Sequence, residues 1–386
     1  MKLGDICSKI GSGATPRGGK DSYKDSGTAI IRSQNVLDWS FSSSGLAFID
    51  DDQSKALSNV EVKQGDVLLN ITGDSVARAC MVPSEFLPAR VNQHVAIIRA
   101  NEEANNLFLL AWLQANKGTL LKLASSGATR NALTKRMLEN LDVNLPPIDV
   151  QNKVAAFIDS LKAKIALNTK LNGYLAEIAD ALFTDAFGNL EDNAVLSDIA
   201  KITMGQSPAG TSYNEEGVGT VFYQGRGEFG WRYPTQRLFT TEPKRMAKSG
   251  DVLMSVRAPV GDLNLAYEDC CIGRGLVAIS CDYPSYCLYL MRSLGKKLDA
   301  YNGEGTVFGS ISGNALKGIG IGLPGNDDIA AFEAMVAPID DQIRCNETES
   351  RFLSQLRDAL LPKLMSGEID VSKVDLKQLN SHLGEC

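Results

Sequence analysis

Two kinds of apolar pattern alternate along this sequence. Short β-branched runs such as "DVLLNIT", "VAIIRA" and "TVFYQ" are broken by Gly, Pro and Asp turns, the mark of short strands. One longer apolar stretch, "NNLFLLAWLQANKGTLLKLAS" at 105–125, reads as helix within the same region. From Val150 the spacing changes to steps of three and four: Val150, Val154, Phe157, Leu161, then Leu171, Leu175, Ile178 and Leu182, with Ile158 and Ile165 widening the stripe. This predicts an amphipathic rod. About 38 residues at 1.5 Å each give roughly 57 Å. Leu145-Pro146-Pro147 and Leu323-Pro324 mark the passage from strands to rod, because proline disfavours helix in the residue before it.

The whole pattern is written twice. "KLGDI" at 2–6 returns as "VLSDI" at 195–199, and "KQGDVLLNITG" at 63–73 as "KSGDVLMSVRA" at 248–258. "HVAIIRA" at 94–100 matches "LVAISCD" at 276–282, and "GATRNALTKRMLENLDVNLPP" at 127–147 matches "GTVFGSISGNALKGIGIGLPG" at 305–325. "YLAEIADALFTDAFG" at 174–188 matches "FLSQLRDALLPKLMSG" at 352–367. The matches keep their order, so they describe a duplicated domain rather than a short-period solenoid. The reading is α/β: two mixed α/β lobes separated by two long antiparallel coiled-coil helices, related by a pseudo-two-fold internal duplication. The expected divisions are a lobe at 1–146, a helical spacer at 147–190, a lobe at 191–324, a helical spacer at 325–370 and a tail at 371–386.

The second rod places Phe332, Met335, Ile339, Leu353, Leu356 and Leu360 on the equivalent seam, and Pro338 predicts a kink or a later start there. Asn168 and Asn346 occupy matching positions where an apolar residue is expected. They are either solvated helix-face residues or a pair that fixes the register of antiparallel rods.

The opening loop, "GSGATPRGGKDSY" at 11–23, has the glycines and lysine of a phosphate cradle but not the register. The residue five before Gly19 is Ala14, and Lys20 is followed by Asp21. Its second copy, "MGQSPAGTS" at 204–212, aligns Pro16 with Pro208 and has no lysine, so turn chemistry is what the copies share.

Composition adds limits. At 44% hydrophobic and 22% charged the chain is of globular type, with no apolar run of membrane-spanning length and no signal-peptide core in "MKLGDICSKI". Eight cysteines without a C-x-x-C, and only His94 and His382 beside them, predict reduced thiols in the cytoplasm and no metal site. Net charge is −7, of which residues 326–386 supply −6 (6 Lys+Arg against 12 Asp+Glu), leaving both lobes near neutral. No P-loop, H-E-x-x-H, Gly-x-Ser-x-Gly or amino-methyltransferase Pro-Pro motif is present, and a binding subunit is expected rather than an enzyme.

The closing "LRDALLPKLMSGEIDV" at 356–371, the repeated "GDVL" and the lobe–rod–lobe–rod plan resemble the DNA-specificity subunit of type I restriction–modification systems. The first rod departs from that motif, ending "LFTDAFG". The resemblance implies two target recognition domains that each read half of a split site in double-stranded DNA. It implies helical spacers that dock two adenine-N6 methyltransferase subunits, with restriction/translocase subunits joining them. Methylation and ATP-dependent cleavage would then reside in those partners, so S-adenosylmethionine, ATP and Mg would bind there and this chain would hold no cofactor.

Reading DNA calls for Arg or Lys at guanine and Asn or Gln at adenine, presented from loops. In the first lobe the candidates are Arg32, Gln34, Asn35, Arg78, Asn92, Gln93, Thr129, Arg130, Asn131 and Lys135. In the second they are Gln224, Arg226, Arg257, Arg274, Thr306 and Ser310. Asn92-Gln93 falls near the slot of Arg274-Gly275, so the two lobes should prefer different bases and the site should be split and asymmetric. Rods of this length suggest half-site centres about one helical turn, ~34–36 Å, apart. A different reading makes the chain a pseudo-symmetric scaffold that holds two protein partners without touching DNA.

Overall fold

The computed structural model describes residues 1–125, 131–303 and 309–369. The chain folds as two compact units: Met1–Leu167 with the segment from Glu349, and Asn168–Thr348. Among the described residues no helix is long and apolar enough to cross a membrane.

In the first unit the strands are β1 (Cys7–Ser12), β2 (Thr28–Ile31), β3 (Ala47–Ile49), β4 (Glu61–Val62), β5 (Val67–Asn70), β6 (Ala79–Met81), β7 (Ala89–Val91) and β8 (Val95–Ala100). They form an antiparallel sheet ordered β1-β8-β5-β6 and a mixed sheet ordered β3-β2-β7-β4, whose central β2 and β7 run parallel. The helices of this lobe are α1 (Asp51–Ala56), α2 (Asn106–Ala115), α3 (Lys117–Ser125) and α4 (Lys135–Glu139). Asn105 caps α2, its side-chain oxygen accepting from the Leu107 and Phe108 N–H groups, and the helix buries every residue from Phe108 to Leu113.

The second unit repeats this topology. Its strands are β9 (Ala194–Val195), β10 (Lys201–Met204), β11 (Tyr213–Asn214), β12 (Thr220–Tyr223), β13 (Phe239–Thr240), β14 (Met246–Ala247), β15 (Val252–Ser255), β16 (Leu263–Leu265), β17 (Cys270–Ile272), β18 (Leu276–Ser280) and β19 (Gly320–Ile321). The orders β10-β18-β15-β16 and β11-β13-β12-β17-β14 repeat those of the first unit with β11 added at the edge of the mixed sheet, again with one parallel central pair, β12 and β17. Three short helices follow: α6 (Pro284–Ser293), α7 (Gly295–Asp299) and α8 (Gly313–Lys317).

The repeated "GDVL" has a physical reason. Gly65 and Gly250 turn with φ of 86° and 90°, and the next residue's carboxylate closes the turn. Asp66 accepts from the Lys63 N–H (2.7 Å) and Asp251 from the Lys248 N–H (2.8 Å). Each turn launches a central strand, β5 or β15, buried at all four positions.

The long helices are α5 (Ile148–Phe187) and α9 (Asn326–Ser366). In the first unit Val154, Phe157, Ile158 and Leu161 of α5 share one core with Leu353, Leu361 and Leu364 of α9 and with the lobe's Phe108 and Leu110. In the second unit Ala179 and Phe183 of α5 share a core with Ile329, Phe332 and Val336 of α9. Asn168 bonds to Asn346 while Asn172, farther along α5, bonds back to Ile343, so these segments run antiparallel.

The apolar seam of α5 differs from the expected one beyond Leu161. Leu171 and Ile178 are exposed, and Asn168, Asn172, Ala176, Ala179 and Phe183 are buried instead. From Val154 through Ile158, Leu161, Ile165 and Asn168 to Phe183, the inward positions advance about 3.6 residues at a time, the period of a straight helix rather than a 3.5 heptad. On α9, Val336, Arg357 and Leu361 are buried, while Met335 is exposed and Leu356 and Leu360 are half-buried. The helix also runs unbroken through Pro338, correcting the expected later start. Pro338 and residue 334, whose carbonyl loses its helical donor, both lie on the exposed face, where water can satisfy that oxygen.

Candidate nucleic-acid interface

In each lobe the loops that leave the parallel strand pair and the central antiparallel strand meet at one place, tied by backbone hydrogen bonds that recur in both copies. The Asn92 N–H donates to the Ile31 carbonyl, and the Gly273 N–H to that of Tyr223. Ile71 donates to His94 and Val256 to Gly275; Leu133 donates to Ile71 and Ile311 to Val256. Gly73 donates to Asn131 and Ala258 to Gly309; Gly13 donates to Val95 and Gly205 to Leu276. All these bonds measure 2.8–3.1 Å. The same braid therefore presents different side chains in the two lobes.

The opening loop forms one wall of the braid, which answers what its glycines do. A Cβ at Gly13 would stand 1.9 Å from the Val91 carbonyl oxygen, and one at Gly205 would stand 2.1 Å from that of Gly273. Backbone packs on backbone here, and only glycine fits.

In the first lobe, Ser33, Gln34, Thr72, Gly73, Asp74, Ser75, Arg78 and His94 line one shallow depression. Arg78 and Gln34 thus come together, and the Asn131 carbonyl lies alongside at Gly73. Asn92 is buried and its side-chain oxygen accepts from the His94 N–H (3.1 Å), while Gln93 stands exposed at the tip of the turn. Arg32 lies half-buried over the Tyr23 ring at 5.3 Å and donates to the Gly45 carbonyl, which Gln34 also reaches at 3.3 Å. Asn35 is fully buried, and its amide donates to the carbonyls of Ser42 (2.9 Å) and Ser44 (3.2 Å), holding the following loop. Lys135 opens α4 and pairs with Glu139 at 3.4 Å, away from the depression's lining. Thr129, Arg130 and Thr306 lie outside the described residues.

In the second lobe, Gln224, Arg226, Arg257, Arg274 and Ser310 are all exposed. Arg226 forms an ion pair with Asp262. Arg257 bridges Ser310 through the backbone, as Thr72 bridges Ala132 in the first lobe. Among the described residues no side-chain hydrogen bond or ion pair engages Arg257 or Arg274, and both are exposed.

Four residues of the braid went unnoticed in the sequence. The Thr15 hydroxyl donates to the Gln93 side-chain oxygen, and the Ser207 hydroxyl accepts from the Arg274 N–H at 3.3 Å. The His94 ring joins Gln93 (3.1 Å) to Thr72 (2.7 Å). The alignment of Pro16 with Pro208 already placed Thr15 opposite Ser207, and that was the available signal. Asn168 and Asn346, the candidate register pair, are both buried on the facing sides of α5 and α9. Asn168 donates to the Asn346 carbonyl (3.2 Å), and Asn346 donates to the Asn172 side-chain oxygen (2.8 Å).

The family model described as "Type I restriction modification DNA specificity domain" matches residues 1–176. A Methanocaldococcus jannaschii protein provisionally named the type I restriction enzyme MjaX specificity subunit is 27% identical, covering 96% of this chain and 93% of its own. The type I restriction enzyme HindI specificity subunit of Haemophilus influenzae is 21% identical over 80% of this chain and 87% of its own. The crystal structure of the type I restriction-modification system S subunit from M. genitalium shares the fold, with a TM-score of 0.54, 13% identity, and coverage of 94% and 95% of the two chains.

Proposed function

We propose that the chain is a specificity subunit of a type I restriction–modification system, like the proteins it resembles, and that each lobe reads one half of a split, asymmetric site in double-stranded DNA. The observation that carries this reading is the repeated braid: one backbone scaffold, present in both lobes, displays Gln93 in one and Arg274 in the other. Identical scaffolds with unlike side chains are what a non-palindromic site requires, since base identity is read by the side chains and position by the backbone around them.

The long helices would set the gap between half-sites and hold the partners. On α5 the exposed Leu171, Tyr174 and Ile178 follow a three/four spacing and face outward, Tyr174 being 53% exposed. The duplication keeps an aromatic at the matching position of α9, Phe352, which is 61% exposed. An exposed aromatic retained in both copies suits two copies of one partner, here two adenine-N6 methyltransferase subunits, with restriction/translocase subunits joining that core. S-adenosylmethionine, ATP and Mg would act in those partners, and the cytoplasm, where host DNA is modified, is the proposed location.

Mapping modified adenines in host DNA with and without this chain tests the reading. One split motif, present only when the chain is present, is the expected result. An unchanged pattern, or a palindromic motif, overturns it.

A further inference from the structure

The turn after the parallel strand pair holds one outward side chain in each lobe, Gln93 after β7 and Arg274 after β17, and equivalent segments meet the turn in both. The Asn92 and Gly273 N–H groups bond back to β2 and β12, fixing where each turn projects. A hydroxyl from the opening loop then meets the turn residue in both copies: Thr15 at Gln93, and Ser207 at Arg274. From this shared geometry we infer that Gln93 and Arg274 occupy one base-reading slot, and that it takes adenine in the half-site of the first lobe and guanine in that of the second.

The chemistry follows from the groups already engaged. The Gln93 side-chain oxygen accepts from the Thr15 hydroxyl, and its amide nitrogen lies 3.1 Å from the His94 Nε2. The other ring nitrogen, His94 Nδ1, is 2.7 Å from the Thr72 hydroxyl. With Thr15 donating, the oxygen end of the amide is fixed. The nitrogen end then donates to His94 Nε2, and Nδ1 carries the proton toward Thr72. One amide hydrogen and one oxygen lone pair stay unspent on the exposed side chain. That donor–acceptor pair matches the N7 and N6 edge of adenine in the major groove. Arg274 is held through its backbone N–H instead, so its guanidinium fork is whole and matches O6 and N7 of guanine. Thr15, His94 and Thr72 are positioning residues here: they select which face of the amide meets the base.

The inference rests on the proposed DNA reading, and the test separates the two. The full chain is assembled with its methyltransferase partners, and its modified motif and its binding to a randomised duplex pool are determined. Gln93→Arg should replace one adenine of the first half-site by guanine, and Arg274→Gln should make the reciprocal change in the second, each leaving the other half-site intact. Gln93→Ala and Thr15→Val should relax the adenine at that position, narrowing its preference over other bases by about tenfold or more. Both slot residues are exposed, so folding is expected to survive, and a thermal melt of each complex checks it. If Gln93→Ala keeps its adenine preference, or Gln93→Arg changes a base in the second half-site, the slot assignment is wrong while DNA reading stands. If the unaltered complex selects no sequence from the pool, the DNA reading itself fails.

Discussion

One methyl group at Gly13 or Gly205 would collide with the carbonyl at the end of the central parallel strand, so these residues are fixed by backbone approach rather than by a ligand. Gly13→Ala is expected to destabilise the first lobe by at least ~1–3 kcal/mol, the range of overpacking, in a urea titration. Gly11→Ala, where an added Cβ meets nothing within 4 Å, should leave the midpoint nearly unchanged. A second residue-scale prediction concerns thiols. Cys281 is brought down to about 7 chiefly by a hydrogen bond from Cys287, against desolvation that raises it. Burial pushes Cys7, Cys80 and Cys270 up to about 12. Thiolate is the reactive form, so Cys281 alkylation should climb as pH passes through about 7 while those three stay unmodified to much higher pH. Peptide mapping after iodoacetamide treatment at stepped pH reads the order, and equal labelling of Cys281 and Cys80 at neutral pH would contradict it.

At the scale of elements, the buried amide cluster on the long helices invites a direct measurement. Asn168, Asn172 and Asn346 bond to one another and to backbone carbonyls where apolar residues would pack. The triple change Asn168→Leu, Asn172→Leu and Asn346→Leu should raise the melting temperature while broadening the distance distribution between spin labels at Lys170 and Cys345. An unbroadened distribution with no gain in stability would remove the register role. The seam illustrates what could be read from sequence and what could not. Val154, Phe157 and Leu161 were legible because apolar residues mark an inward face. The shift to Asn172 and Ala176 was not, because Leu171, Tyr174 and Ile178 form a second apolar stripe, and hydropathy alone does not say which stripe meets the partner helix. The C-terminal motif was equally legible as a signature and opaque as physics. Its Arg357 is buried and stacks 4.4 Å over the ring of Trp39. The corresponding position of α5 is Ala179, and the second lobe supplies its own cation instead, Arg232, which pairs with Asp340 and lies over the Tyr289 ring at 5.7 Å. The first rod could therefore lose the motif's arginine without losing a lobe-to-helix tie. In the candidate interface, strand-end loops were legible from their turn residues, whereas the roles of Asn35 and Thr15 depended on which carbonyl or amide stood opposite them.

For the molecule as a whole, a net charge of −7 looks unsuited to a polyanion until its placement is considered. Residues 326–386 carry −6 of it, and the lobes are left near neutral with Arg78, Arg257 and Arg274 beside the braided loops. Affinity for duplex DNA should then come from a small number of local phosphate contacts and not from a global field, and its salt dependence should be shallow but finite. Each phosphate neutralised releases counterions worth about 0.9 in the slope of log K against log salt. Replacing Arg78 or Arg257 by Gln in the assembled complex should lower that slope by about one each and weaken specific and non-specific duplexes alike. Changing an arginine that reads a base should instead weaken the specific duplex more than the non-specific one. Titrating fluorescent duplexes over a range of salt concentrations distinguishes these behaviours. A slope unaffected by either substitution would mean that neither arginine meets a phosphate.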